Sequence, residues 1–159
     1  VHYSAEQVEK HVAGRTSPEV VISDERQELL ETGGGLQKAR GLFAEGPVFC
    51  TNTDAIMIDG DGPDACTALA SVWDGEQMDA LLLLVPIERT SGYDGVGDFN
   101  RSVDGQIHWI TNNCAATRVL WDLAASRGRL FGVIYDGDWL HVGDPDGHAI
   151  AEKRLGKNR

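Results

Sequence analysis

An unbroken apolar run, Ala80 to Val85 with four consecutive leucines from Leu81, does most to limit the folds open to this chain. A strand with one face in water alternates apolar and polar residues, whereas this one is apolar on both faces. The stretch Met78 to Pro86 therefore reads as a fully buried strand of the kind found in a parallel sheet covered by helices. At six residues the run is also far short of the roughly 20 needed to cross a bilayer.

The segments around it alternate in the same sense. Ser4 to Val12 reads as a helix, with Ser4 and Gln7 as a capping box and Gly14 as its stop. After Pro18, Glu19 to Ser23 is a short β-branched run expected to be a strand. Gly33-Gly34-Gly35 leads into Leu36 to Phe43, whose apolar residues repeat at helical spacing, which puts the glycines at a helix N-terminus. Pro47 to Asn52 reads as the next strand, and Asp64 to Trp73 as a helix capped by Asp64 or introduced by Pro63. Phe99 to Ser102 and Gln106 to Ile110 flank an Asp104-Gly105 turn as a hairpin. Thr117 to Arg127 carries Val119, Leu120, Leu123 and Ala124 on one helical face. Leu130 to Tyr135 and Trp139 to Val142 are strands about the Asp136-Gly137 turn, and a terminal helix runs from Pro145 into a basic tail of Lys153, Arg154, Lys157 and Arg159. This order implies an α/β sandwich with a mostly parallel sheet, built as one domain over residues 1–159.

Charge narrows the partners. Fourteen basic against twenty-five acidic side chains give a net charge of -11, which disfavours nucleic acid, where basic patches dominate affinity. A nucleotide remains compatible, because backbone N–H groups and a divalent cation can carry its phosphate charge. Cys50, Cys66 and Cys114 have no C-x-x-C pairing or zinc-ligand spacing and read as buried reduced thiols. With no signal pattern at the N-terminus and no membrane-length run, the expected location is the cytoplasm.

Two stretches carry candidate chemistry. In Glu31-Thr32-Gly33-Gly34-Gly35 the glycines let backbone approach a planar or anionic ligand without Cβ interference. Thr51-Asn52-Thr53-Asp54 would place Asp54 beyond the carboxyl end of a buried strand, where open α/β sheets bind ligands. On spacing alone a tight loop and a turn cap explain these residues as well as a site does. His141 in Trp-Leu-His-Val reads as a packed histidine or a ligand, and Tyr93 and Trp139 as core aromatics or sugar contacts.

Taken together, seven stretches give the chain a family resemblance: V-H-Y-S-A-E-Q-V at Val1, I-S-D-E-R at Ile22, L-L-E-T-G-G-G-L-Q-K-A at Leu29, T-N-T-D-A at Thr51, M-D-A-L-L-L-L-V-P at Met78, G-Y-D-G-V-G-D-F at Gly92 and D-W-L-H-V-G-D-P at Asp138. The chain resembles the nucleoside-diphosphate-sugar pyrophosphorylases, or sugar-1-phosphate nucleotidyltransferases, most of all their N-acetylmuramate-1-phosphate uridylyltransferase branch. That likeness implies a Rossmann-like nucleotide-diphospho-sugar transferase sandwich. It also implies transfer of a nucleotidyl group from a nucleoside triphosphate, UTP in this branch, to a sugar 1-phosphate with release of pyrophosphate, and a place in peptidoglycan recycling.

Within the resemblance, Gly33, Gly34 and Gly35 contact the nucleobase, Glu31 and Thr32 shape its pocket, Asp54 is the catalytic carboxylate and a Mg2+ ligand, and Gly97 with Asp98 faces the sugar. Magnesium suits Asp54, since it binds through one or two carboxylates plus phosphate oxygens. Two departures stand out. The family's opening strand and A-G-x-G-x-R loop, which grips the triphosphate, have no counterpart here, so the domain is expected to be truncated at its N-terminus. The segment after the hairpin is shortened, and the late aspartate of W-x-D-V-G is His141, with Asp138 and Asp144 as the carboxylates able to compensate. The alternative expectation is an inactive remnant that binds nucleotide or self-associates, a second copy completing the open sheet.

Overall fold

The computed structural model describes residues 1–110 and 118–156. Thr117 at the expected start of a helix, Cys114, and Lys157 and Arg159 of the basic tail lie outside the described residues, while Cys50 and Cys66, expected as buried thiols, are exposed. The described residues divide into two compact units, one formed by 1–48 with 118–120, the other by 49–110 with 121–156.

In the first unit, α1 (Ala5–Val12) and α2 (Glu31–Ala39) are joined by extended and turn segments. Ser4 precedes α1 as expected, but in a left-handed conformation (φ 52°) without a side-chain cap; its carbonyl accepts from the Gln7 amide at 2.9 Å instead. Gly14, at φ 80°, lets the chain turn away after the helix. The expected strand at Glu19 to Ser23 does not form. That stretch makes one bridge, Thr16 to Glu19, because no described strand lies alongside to complete a ladder. The three glycines sit inside α2 rather than ahead of it, and the helix instead starts at Glu31, a non-glycine residue at φ 57°. Such a backbone angle is uncommon for a residue with a side chain.

The second unit carries most of the described core. β2 (Ala80–Leu84) pairs in parallel with β6 (Leu130–Ile134), Leu82 opposite Gly132. The leucine run is thus a parallel strand, although its residues are half-buried, because β6 is its one ladder partner among the described residues. A second sheet runs in the order β1 (Ala55–Ile58), β7 (Asp138–His141), β3 (Thr90–Ser91), with β1 antiparallel and β3 parallel to β7. The expected hairpin is present as β4 (Phe99–Arg101) and β5 (Ile107–Trp109), closed by Gly105 at φ 93°. α3 (Ala65–Val72) begins where Asp64 accepts the Thr67 amide at 3.0 Å, as a cap should. α4 (Arg118–Ser126) places Trp121 and Ala124 against Leu130, Ile107 and Phe99, and α5 (Pro145–Gly156) packs on β7.

The architecture is therefore mixed α/β, but the ladders among the described residues are not mostly parallel: β1–β7 and β4–β5 are antiparallel, β2–β6 and β3–β7 parallel. The physical reason lies in two missing contributors. Glu19 to Ser23 and Pro47 to Asn52, each expected as a strand, join no ladder, and the second is exposed throughout.

Candidate nucleotide and metal site

Asp54 lies at the start of a strand rather than beyond the end of one. Its backbone carbonyl accepts the Val142 amide at 2.8 Å, extending the β1–β7 ladder in which Ala55 stands opposite His141. This pairing brings the Asp54 carboxylate (Oδ2) to 3.9 Å from His141 Nδ1, both side chains partly open to solvent. Two residues that are far apart in sequence thus share one corner.

The imidazole is held from the side. Along β7, alternate residues share a face, so Trp139 and His141 point the same way. Their rings stack with centroids 5.7 Å apart at 21°. Tyr93, just past β3, meets Trp139 edge-on at 6.1 Å. On the opposite face Leu140 is fully buried, which anchors the strand.

Gly143 explains why this corner stays open. A Cβ there would fall 2.6 and 2.7 Å from the His141 ring atoms Cε1 and Nε2 and 3.3 Å from Asp54 Oδ2. Any side chain would therefore push the imidazole away from the carboxylate. A carboxylate oxygen, an imidazole nitrogen and a gap free of side chains fit a divalent cation completed by water and phosphate oxygens. Asp54 and His141 are two protein donors, and no group of three or more cation-binding side chains occurs among the described residues.

The neighbouring carboxylates are committed elsewhere. Asp138 pairs with Arg154 of α5, and Asp144 caps that helix, its Oδ1 accepting the Gly147 amide at 2.7 Å. The described arginines of this unit are also engaged: Arg89 with Asp136, Arg127 and Arg129 with Asp79, Arg154 with Asp138, and Arg101 with the Gly132 carbonyl. Asp79 is held below the usual carboxylate range by its bond from Arg129.

The remaining expected residues have local surroundings of their own. Gly97 sits at φ 93°, and a Cβ there would meet Ile87 at 3.2 Å, so its backbone itself requires glycine. Asp98 is exposed, its carbonyl accepting the Ile110 amide at 2.9 Å beside the hairpin. Glu31, Thr32 and the three glycines belong to the other compact unit. There a Cβ on Gly34 would lie 2.9 Å from Leu30 and one on Gly35 2.8 Å from Glu25, while Gly33 faces open space. Local packing thus accounts for Gly34, whereas the Glu25 carboxylate beside Gly35 is the mobile end of a side chain and Gly33 leaves its backbone bare. Gly143 was not among the expected site residues; its signal was its place two residues after His141.

No family model matches the chain. A curated relative does: 38% of residues are identical over 183 aligned, covering 98% of this chain and 75% of the relative. At that identity and coverage the chain belongs to the sugar-1-phosphate nucleotidyltransferases. The relative is the N-acetylmuramate alpha-1-phosphate uridylyltransferase of Caulobacter vibrioides. The aligned stretch is longer than the chain's 159 residues, so the relative carries residues within it that this chain lacks.

Proposed function

We propose that this protein transfers a uridylyl group from UTP to a sugar 1-phosphate, with N-acetylmuramate 1-phosphate, a peptidoglycan-recycling intermediate, as the sugar substrate. In this reaction an oxygen of the sugar phosphate attacks the α-phosphorus of UTP, the bond to the bridging oxygen of the β-phosphate breaks, and pyrophosphate leaves. The observation that carries the reading is the Asp54–His141 corner kept open by Gly143, in a chain related to such an enzyme. Asp54 and His141 hold the divalent cation, Mg2+ in the family resemblance. When bound, that ion supplies charge neutralisation at the α-phosphate. Trp139 fixes the imidazole plane, and the β1–β7 ladder fixes the spacing of the two donors. Glu31, Thr32 and the glycines Gly33 to Gly35 receive the base, Gly97 and Asp98 face the sugar, and the fold is read as the Rossmann-like sandwich of the family.

A second reading has its own support. Phosphoryl-type transfer depends on cationic groups at the developing charge, and the described arginines of this unit are already paired. On that reading the chain binds nucleotide, or self-associates, without turnover. Purified protein incubated with UTP, Mg2+ and N-acetylmuramate 1-phosphate separates the two. The enzyme reading expects pyrophosphate well above an Asp54→Ala control. Pyrophosphate no higher than that control overturns it, and UTP–Mg2+ binding without turnover supports the binding module.

A further inference from the structure

The donor set at the Asp54–His141 corner has a consequence for which ion it prefers. Mg2+ selects hard oxygen donors and near-octahedral geometry, whereas imidazole nitrogen suits the first-row transition metals. Here the second protein donor is Nδ1 of His141, 3.9 Å from Asp54 Oδ2. The two carboxylates flanking His141 in sequence have partners of their own, Asp138 in Arg154 and Asp144 in the Gly147 amide at the start of α5. The imidazole does not readily turn aside. It stacks on Trp139, and its backbone is clamped in the β1–β7 ladder beside Val142, whose amide bonds to Asp54. Gly143 leaves the space between ring and carboxylate free.

From this geometry we infer that the Asp54–His141 pair binds a divalent first-row transition metal, Mn2+ or Co2+, in preference to Mg2+, with His141 Nδ1 as a direct ligand. The inference rests on the reading of this corner as the cation site of a nucleotide-binding protein, and it concerns which ion is held rather than whether turnover follows. Mn2+ keeps the affinity for phosphate and carboxylate oxygen that such a site needs and accepts nitrogen more readily than Mg2+ does. His141 therefore changes the selectivity of the corner without abolishing it.

The test reads binding directly. The full chain, freed of metal, is titrated with Mn2+ in the presence of UTP while the free-ion paramagnetic resonance signal is followed, and Mg2+ is then added as competitor. Mn2+ is expected to exceed Mg2+ in affinity by at least about tenfold beyond the ratio for UTP alone. In nuclear magnetic resonance, Mn2+ should broaden the ring signals of His141 ahead of those of His108 and His148. His141→Asp should shrink the Mn2+/Mg2+ ratio toward that of UTP alone. Gly143→Ala, with folding checked by circular dichroism, should weaken Mn2+ binding by displacing the ring.

An unchanged ratio in His141→Asp, or His141 signals that Mn2+ leaves sharp, overturns the proposal. Selective Mn2+ binding through His141 without any pyrophosphate release would leave it standing and overturn only the transferase reading. Protein that adds nothing to the metal affinity of UTP overturns the metal corner altogether.

Discussion

Arg26 shows how much of this chain's local order rests on single side chains. Its guanidinium grips Asp24 through Nε to Oδ1 at 3.0 Å and a terminal nitrogen to Oδ2 at 2.7 Å, and reaches Glu9 of α1 at 2.9 Å. Two parallel bonds of this kind are the strong form of an arginine–carboxylate contact. The bond from Arg26 lowers the Asp24 carboxyl from 3.8 to about 2. A depressed carboxyl stabilises the folded state above its unfolded value near 3.8, and that contribution is lost as pH falls through about 2. Arg26→Ala should return Asp24 toward 3.8 in a carboxyl-resonance titration, and Arg26→Lys, which lacks the fork, should restore only part of the shift. Asp24 and Arg26 stand two apart in I-S-D-E-R, so their pairing is local enough to be read in the sequence. The pairing of Asp54 with His141 is not: nothing near either residue states that β1 and β7 will be neighbours.

Among the elements, β6 shows the tightest fit. The Gly132 amide bonds the Gly105 carbonyl at 2.9 Å, and its own carbonyl accepts Arg101 Nε at 2.7 Å, which ties the hairpin to the strand. A Cβ on Gly132 would stand 2.6 Å from Leu84 and 2.7 Å from Ile107. Gly132→Ala should therefore destabilise the protein by about 1–3 kcal/mol through overpacking, read as a lower urea midpoint. The elements that sequence pattern identified correctly are those whose signals are complete within a few residues: α1, α3 with its Asp64 cap, the Asp104-Gly105 hairpin, and the strand pattern of β2 and β6. Those it misread depend on partners. Pro47 to Asn52 has strand composition but no described neighbour to bond, and the helix around Gly33 to Gly35 forms where composition favours a turn.

At the scale of the whole chain, burial is uneven. Ala5 is the buried residue described in the first unit, where Val21 and Leu29 are more than half exposed, whereas Met78, Ile107, Leu130, Tyr135 and Leu140 are buried in the second. Tyr135 adds a polar tie there: burial, followed by its bond to Asp59, raises its phenol and keeps it a neutral donor. Amides with few buried apolar contacts open at low free energy, so hydrogen exchange should be slowest in Ala80–Leu84 and Leu130–Ile134 and markedly faster in Ala5–Val12. Equal protection of the two units would contradict that expectation. No described helix is long and apolar enough to cross a membrane. From sequence alone came the α/β class, the family and the separate candidates Asp54 and His141, because composition, caps and motifs act over short stretches. Which strands pair, that Asp54 opens a strand, and that Gly143 holds space for the imidazole emerged only from the tertiary structure, because ladder partners and side-chain clearances are set between residues that sequence order does not bring together.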